Sequence, residues 1–144
     1  QIARGELPKI KERNVDATGY AYGTGRRKTS VARVWIREGC GEIVVNGKNF
    51  VDYFTQTPRE HILESFITSK TSGFFDVRCT TKGGGPMGQA GAVRLGVARA
   101  LEAYDPMLRP VLRSAGLLTR DSRRVERKKP GQKKARKKFQ WVKR

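Results

Sequence analysis

Three glycines with G-x-G-x-x-G spacing, Gly83, Gly85 and Gly88, stand between a predicted strand and a predicted helix. This spacing is typical of dinucleotide-binding loops, in which backbone N–H groups at a helix N-terminus bind a pyrophosphate. Such a fold continues into a second parallel strand that ends in a ribose-binding acid. Here the helix runs into Asp105-Pro106 and a further helical stretch, so the glycines do not indicate a dinucleotide site.

The phosphates of a polynucleotide fit this glycine-rich turn better, because cations surround it. Lys82 precedes the turn, and two arginines lie on the helix that follows. Backbone N–H groups at the start of that helix favour an anion. A tight turn that simply needs glycine is the structural alternative. The residues predicted to contact phosphates here are Lys82, Gly83, Gly84, Gly85, Arg94 and Arg99.

A second basic cluster, "GTGRRKT" at positions 23–29, is similar to a nucleotide-binding Walker loop but does not match it. A Walker loop needs Lys directly after its last Gly, whereas Arg27 precedes Lys28 here. Three successive cations, Arg26, Arg27 and Lys28, suit a backbone of several phosphates better than a single nucleotide. A solvated basic turn is the alternative.

Residues for catalysis or metal binding are scarce. His61 is the only histidine, and it lies within a predicted helix beside Ile62. Cys40 and Cys79 form no C-x-x-C pair, whereas a structural zinc site needs about four such ligands. We therefore predict no enzyme activity, no cofactor and no metal. The two cysteines are expected to be buried or half-buried free thiols in a reducing compartment.

The C-terminal segment carries most of the excess charge. Residues 120–144 contain 13 Lys or Arg and 2 acids, a net charge of +11 out of +18 for the chain. Blocks of like charge do not collapse into a core and often serve as interaction arms. The segment also contains Pro130-Gly131, Phe139 and Trp141, and a solubility tail would gain nothing from these aromatics. Cations with interleaved aromatics are typical of an RNA-contacting segment.

The total charge of +18 indicates an anionic partner. Nucleic acid is the commonest such partner, and an anionic membrane surface is the alternative. The sequence has no run of about 18 apolar residues that would span a bilayer, and no signal-peptide core is visible. It begins with Gln1 rather than Met, which is compatible with a cleaved targeting segment.

Hydrophobic periodicity predicts an α+β fold. Alternation predicts strands within 20–38, at 43–45 and at 74–81, with Phe75, Val77 and Cys79 on one face of the last. A helical turn is predicted at 49–54. Longer helices are predicted after Thr57-Pro58 and at 90–104, and a short one at 107–116. This order suggests a two-layer structure with the helices on one face of the sheet.

The local signals make further, testable assignments. Thr57 is predicted to cap the helix that follows it, with Pro58 at its first position and Glu60 completing a capping box. The apolar face of that helix is predicted to hold Ile62, Leu63, Phe66 and Ile67. Three parts of the chain are expected: an N-terminal extension at 1–19, a globular domain at 20–119 and an extended basic tail at 120–144.

Four stretches resemble, in order and spacing, the family of small-subunit ribosomal protein S-nine. They are "YGTGRRKTSVARV" (22–34), "VNG" (45–47), "VRCTTKGGGPMGQAGAVRLGVARAL" (77–101) and the basic segment from residue 112 to the end. The resemblance covers residues 20–144 and leaves 1–19 outside. It implies the α/β sandwich shared with the second domain of ribosomal protein S-five and with a small-molecule kinase superfamily.

The resemblance also implies partners. These are the 3′ domain of the small-subunit ribosomal RNA, neighbouring ribosomal proteins of the subunit head and the anticodon stem-loop of the peptidyl-site tRNA. By position, the tRNA contacts fall on Lys138, Gln140, Lys143 and Arg144. Ribosomal RNA would contact the two clusters above and the rest of the tail, namely Arg120, Arg123, Arg124, Arg127, Lys128, Lys129, Lys133, Lys134, Arg136 and Lys137.

The ending "RKKFQWVKR" departs from the common bacterial one and looks more like mitochondrial members of the family. This implies a mitochondrial ribosome, with a plastid or bacterial source as the alternative. Two other functions stay open. A free RNA-binding protein or RNA chaperone would need only the basic arm. A phosphotransferase of the same fold superfamily would need a catalytic acid, which this short chain does not show.

Overall fold

The computed structural model describes residues 12–143. Alternating strands and amphipathic helices form where the hydrophobic pattern changes its period from two residues to about 3.6. In chain order the elements are β1 (Ala21–Arg27), β2 (Ser30–Glu38), β3 (Ile43–Val45), β4 (Lys48–Asn49), α1 (Phe50–Tyr53), α2 (Gln56–Ser69), β5 (Phe75–Lys82), α3 (Pro86–Tyr104), a 3₁₀ turn (Pro106–Leu108) and α4 (Arg109–Ser114).

The strands form one sheet in the order β1-β2-β5-β3-β4. β1, β2 and β5 are antiparallel neighbours, and β3 runs parallel to β5. Alternate residues of each long strand are buried against the helices, such as Val34 and Ile36 on β2 and Val77 and Cys79 on β5. The predicted two-layer α+β fold is therefore confirmed, with the helices on one face of the sheet.

Close packing of α3 on β1 depends on residues without large side chains. A Cβ on Gly25 would lie 1.8 Å from the carbonyl oxygen of Ala92, and one on Gly23 would lie 2.3 Å from that of Gly96. Val93, Val97 and Leu101 of α3 are fully buried in the core, at the helical spacing expected for an apolar stripe. Small residues in both elements thus bring helix and sheet into backbone contact.

Helix α2 differs from its prediction in where it begins and in which residues its buried face contains. It begins at Gln56 with Thr55 at the N-cap, so Thr57 does not cap it and Pro58 lies inside the first turn. The side chain of Glu60 instead accepts a hydrogen bond from Gln56. Ile67 is 65% exposed, because it lies one residue, or about 100° around the helix, beyond the buried Phe66.

Other element boundaries shift more modestly. α3 begins at Pro86, four residues before the predicted 90, with Gly85 at its N-cap. The Pro-containing first turn therefore belongs to the helix rather than to the glycine-rich turn. β5 runs one residue later than predicted. The two-residue β4 carries no alternation that could have predicted it.

The cysteines differ in environment. Cys79 is buried, and burial raises the pKa of its thiol to about 12. Cys40 is exposed, so the expectation of two buried or half-buried thiols was wrong for that residue. It lies in the turn after β2, where its N–H donates to Asp76 Oδ1 at 3.0 Å.

Segments on either side of the globular domain differ in their contacts with it. Asn14 N–H donates to the carbonyl of Ala103, and Val15 packs against the core. After α4, Leu117 is still buried, and residues 119–143 form no helix or strand. Residues 1–11, part of the expected extension, lie outside the described residues. Within residues 12–143 no helix is long and apolar enough to cross a membrane.

Candidate nucleic-acid interface

The fold brings the two glycine-containing basic motifs together. The turn between β1 and β2 lies directly against the glycine-rich turn before α3. Ser30 Oγ donates to the carbonyl of Gly83 at 3.0 Å, and Gln89 Nε2 donates to the same oxygen at 3.1 Å. A cleft of about 670 Å³ opens at this junction, lined by Lys28, Thr29, Ser30, Thr55, Thr57, Pro58, Gly84, Gly85, Pro86, Met87 and Gly88.

Glycine is needed in this turn for conformation and for space. Gly83 and Gly84 have φ of +75° and +65°, and a Cβ on Gly84 would lie 2.1 Å from Ser30 Oγ. Gly85 has open space around it and supplies no side-chain cap to α3. The first N–H groups of a helix have no partner within the helix. The turn can therefore need glycine for its conformation and also present backbone N–H groups to an anion.

Three predicted phosphate contacts lie free at this corner of the sheet. Arg26, Lys28 and Lys82 are exposed. The strand register places Arg26 and Lys82 on either side of Val31, so their side chains share the sheet face opposite the helices. Their charges can therefore act together on one anionic surface.

Three other predicted contacts are engaged within the protein. Arg27 forms an ion pair with Asp121 at 3.6 Å, and only 18% of its side chain is exposed. Arg94 pairs with Glu64 of α2 at 2.7 Å, and Arg99 Nη1 donates to the carbonyl of Thr24 at 2.9 Å. Arg94 thus lies between the two helices, away from the cleft. The predicted set is divided into free cations at one corner and arginines that hold elements together.

The two acids of the tail are both paired with neighbouring cations. Hydrogen bonds from Arg123 hold the pKa of Asp121 well below its usual range. Hydrogen bonds from Lys129 and Arg136 likewise lower the pKa of Glu126. Both carboxylates therefore stay charged at neutral pH, and the remaining cations of the tail have no acid in the tail to neutralise them.

The tail is exposed and its described part forms no helix or strand, and it bends back on itself between Lys129 and Lys137. Lys129 and Gln132 close a turn around Pro130-Gly131, with the Gln132 N–H donating to the Lys129 carbonyl. Phe139 is 65% exposed and Trp141 is 80% exposed. Arg144 lies outside the described residues. The other predicted tail contacts are all exposed, namely Arg120, Arg123, Arg124, Arg127, Lys128, Lys129, Lys133, Lys134, Arg136, Lys137, Lys138, Gln140 and Lys143.

The single histidine, His61, lies on α2 between Glu60 and Ile62. It is half-buried on α2, and burial together with the charge of Arg94 lowers its pKa. Its Nε2 finds no hydrogen-bond partner within the described residues. Across residues 12–143 no group of three or more His, Cys, Asp or Glu is placed to hold a metal ion.

Comparison with known proteins connects these features. The family model "Ribosomal protein S9/S16" matches residues 25–144, which include the cations of both basic motifs and the whole tail. The chain belongs to this family. It is also 56% identical over 140 residues to "Small ribosomal subunit protein uS9m" of Arabidopsis thaliana. That match covers 96% of this chain, which spans about a third (33%) of the length of the relative.

The structure also groups a set of residues that the sequence analysis did not predict as a site. Tyr22, Arg33, Trp35, Arg37 and Arg78 lie together on the open face of the sheet. Their alternation with buried residues was the available signal, but it was used only to find the strands.

Proposed function

We propose that this chain is a structural component of the small ribosomal subunit. In this proposal the domain at 20–119 binds ribosomal RNA in the subunit head, and the tail at 120–144 extends into RNA that a folded domain could not enter. The observation that carries the proposal is the tail itself. It is exposed, rich in cations, joined to a packed domain and included in the family match.

The corner formed by Arg26, Lys28 and Lys82 is proposed to bind the 3′ domain of the small-subunit ribosomal RNA. Free cations beside unpartnered helix N–H groups favour phosphates. The cleft at residues 83–85 adds backbone donors to this surface. Arg27, Arg94 and Arg99 are proposed to act indirectly, because their ion pairs and hydrogen bonds position the elements that carry the free cations.

The tip of the tail is proposed to contact the anticodon stem-loop of the peptidyl-site tRNA through Lys138, Gln140, Lys143 and Arg144. Contacts to phosphates carry no direct sequence information. Such contacts suit a site that accepts every tRNA and releases it during translocation. Neighbouring ribosomal proteins of the head are the other proposed partners.

A mitochondrial ribosome is the proposed location. The relative from Arabidopsis thaliana carries the suffix m of mitochondrial ribosomal proteins in its name. The ending "RKKFQWVKR", which looks mitochondrial in type, supports the same location. Fluorescence imaging of the native full-length protein against a mitochondrial marker tests this part directly.

Sedimentation of the protein from a lysate in high salt, with and without RNase, tests the main proposal. An arm making about 6–10 phosphate contacts alone loses roughly 10³- to 10⁵-fold in affinity between 50 and 200 mM salt. An integrated subunit protein is expected to remain with the small subunit at high salt and to be released by RNase. Migration at the top of the gradient would instead indicate a free RNA-binding protein.

The double variant Lys143→Ala, Arg144→Ala tests the tRNA contact separately. It is expected to weaken retention of peptidyl-site tRNA while the subunit still assembles. Lys133→Ala with Lys134→Ala removes the same charge further from the tip and serves as the matched control. Normal tRNA retention with failed assembly would reverse the roles assigned to the tip and to the rest of the tail.

A further inference from the structure

The open face of the sheet carries an aromatic and arginine cluster that the basic corner and the tail do not include. One cross-strand row runs Tyr22, Trp35, Arg78 from β1 through β2 to β5. The rings of Tyr22 and Trp35 lie 5.3 Å apart at an interplanar angle of 46°. These side chains point away from the core, since the alternate residues are buried.

Arg33 is held above both rings. Its guanidinium carbon lies 5.0 Å from the centre of the Trp35 ring and 5.8 Å from that of Tyr22. Its Nε also donates to the Tyr22 hydroxyl at 3.2 Å. A guanidinium fixed over aromatic rings keeps its outer N–H groups directed outward, and its plane offers a further stacking surface.

The charge on this face favours an anionic partner. Arg37 lies over Tyr20 at 4.9 Å, and no ion pair within the described residues neutralises Arg33, Arg37 or Arg78. The nearby carboxylates of Asp16, Glu42 and Asp76 lie toward the end of the face where β1 begins. The opposite end continues into the basic corner at Arg26 and Lys82.

A hollow of about 310 Å³ adjoins Trp35 on this face, lined also by Asp16, Thr18, Tyr20 and Arg78. An aromatic wall, a neighbouring arginine and a carboxylate match what an unpaired base can use. The base can stack on the ring, while its phosphate and its hydrogen-bonding edge meet the charged groups. In double-stranded RNA the faces of the bases are covered by stacking on one another, so they cannot stack on protein rings.

We propose that this open sheet face, centred on Tyr22, Arg33 and Trp35, binds an unpaired segment of RNA by stacking on its bases, with Arg37 and Arg78 contacting the adjoining phosphates. The inference deepens the proposed function and rests on it, because the RNA is that of the small subunit. RNA is favoured over a protein partner because aromatic rings here alternate with unneutralised arginines and the face is continuous with the basic corner.

Trp35 itself reports on this face once the other tryptophan is removed. The chain has two tryptophans, so in a Trp141→Phe full-length background the emission comes from Trp35 alone. An unpaired 12-nucleotide RNA of mixed sequence is expected to quench that emission, with the same midpoint as the anisotropy of the labelled RNA. Heparin, a polyanion without bases, is expected to bind and leave the emission unchanged.

The outcomes separate this inference from the proposed function. Binding by anisotropy with unchanged Trp35 emission overturns the sheet-face proposal and leaves RNA binding by tail and corner intact. Equal quenching by heparin overturns it as well. An absence of both binding and quenching would contradict the proposed function together with this inference.

Substitution at Tyr22 provides the matched comparison. Tyr22→Ala is expected to weaken binding of the unpaired RNA about 10-fold, the usual order for one lost base stack. Tyr22→Phe keeps the ring and Ile67→Ala lies on the helical layer, so both should bind as the parent does. Equal affinity for Tyr22→Ala, with an unchanged circular dichroism spectrum, would overturn the stacking role.

A photo-crosslink identifies the class of partner in the assembled particle. Tyr22→p-benzoylphenylalanine, incorporated into reconstituted small subunits, is expected to yield a product that RNase shortens. The same group at Ile67 controls for non-specific reaction. A product with protein, or no product at Tyr22, would overturn the assignment of RNA to this face.

Discussion

The guanidinium of Arg27 lies 3.6 Å from the carboxylate of Asp121, and this ion pair joins the end of β1 to the first residues of the tail. Both side chains are largely covered, at 18% and 20% exposure. The buried Arg27 Nε has no hydrogen-bond partner in the described residues, which makes Asp121 its main compensation. The tail therefore leaves the domain from a fixed point beside the basic corner.

Loss of this ion pair should loosen the start of the tail. Asp121→Asn is expected to increase hydrogen–deuterium exchange around residues 117–123 and in the β1–β2 turn, because Arg27 would lose its opposite charge. Exchange in the core strand β5 should not change. Asp121 also pairs with the exposed Arg123, so Arg123→Gln is the matched control that keeps the Arg27 contact. Equal exchange in both variants would contradict the proposed anchoring.

The same pair has a defined pH dependence. The pKa of Asp121 is lowered in the folded protein, so its stabilising contribution is complete above the ordinary carboxyl pKa and decreases progressively as pH falls from there through the lower folded value. Protection factors around residues 117–123, which correct for the intrinsic pH dependence of exchange, should therefore be constant near neutral pH and should decrease as pH falls below the ordinary carboxyl pKa. A decrease no larger than that in Asp121→Asn would contradict the lowered pKa.

Removal of residues 130–144 should leave the domain folded. Its described part, residues 130–143, adds no buried residue to the core. A cooperative thermal transition with little change in midpoint is expected by circular dichroism. RNA binding should weaken, and the slope of log affinity against log salt should fall by roughly 5, since seven cations are removed at about 0.7 each for a single strand. A lost cooperative transition would show that the tail is part of the fold.

Gly25→Ala should strongly destabilise the domain. The added Cβ would lie 1.8 Å from the Ala92 carbonyl oxygen, so α3 would have to move off the sheet. The expected loss in the free energy of unfolding is about 3 kcal/mol or more, measured by urea denaturation. Gly85→Ala is the control, because a Cβ there meets nothing within 4 Å. Similar midpoints for the two variants would contradict the close packing.

The two thiols should react very differently. Iodoacetamide at pH 8 is expected to modify Cys40 in the native protein and both cysteines in urea, as counted by mass spectrometry. Cys79 is protected by burial, which also raises its pKa from 9.0 to about 12. Since the unfolded thiol ionises first, this residue makes unfolding easier as pH rises from about 9 to 12. Two adducts in the native protein would contradict its burial.

Several features could be predicted from sequence because they depend on local chemistry. Alternation on β5 predicts the buried Val77 and Cys79, and the apolar spacing of α3 predicts the buried Val93 and Val97. The start of α2 at Gln56 could not be predicted, because Thr55 and Thr57 are the same residue type and either could cap a helix that begins after it. The structure places Thr55 at the N-cap without a side-chain hydrogen bond, so no local capping contact distinguishes the two threonines.

The sequence by itself determined the charge, the exposed basic tail and the membership of a ribosomal protein family, since composition, residue order and spacing require no folded contacts. Only the tertiary structure decided which cations are free. In the sequence, Arg27, Arg94 and Arg99 cannot be distinguished from the free cations Arg26 and Lys82. In the structure the three arginines contact partners that are distant in the chain: Arg27 and Arg94 form ion pairs with Asp121 and Glu64, and Arg99 donates a hydrogen bond to the Thr24 carbonyl. The same holds for the open sheet face. Its row of Tyr22, Trp35 and Arg78 exists only because strand register places three separate segments side by side.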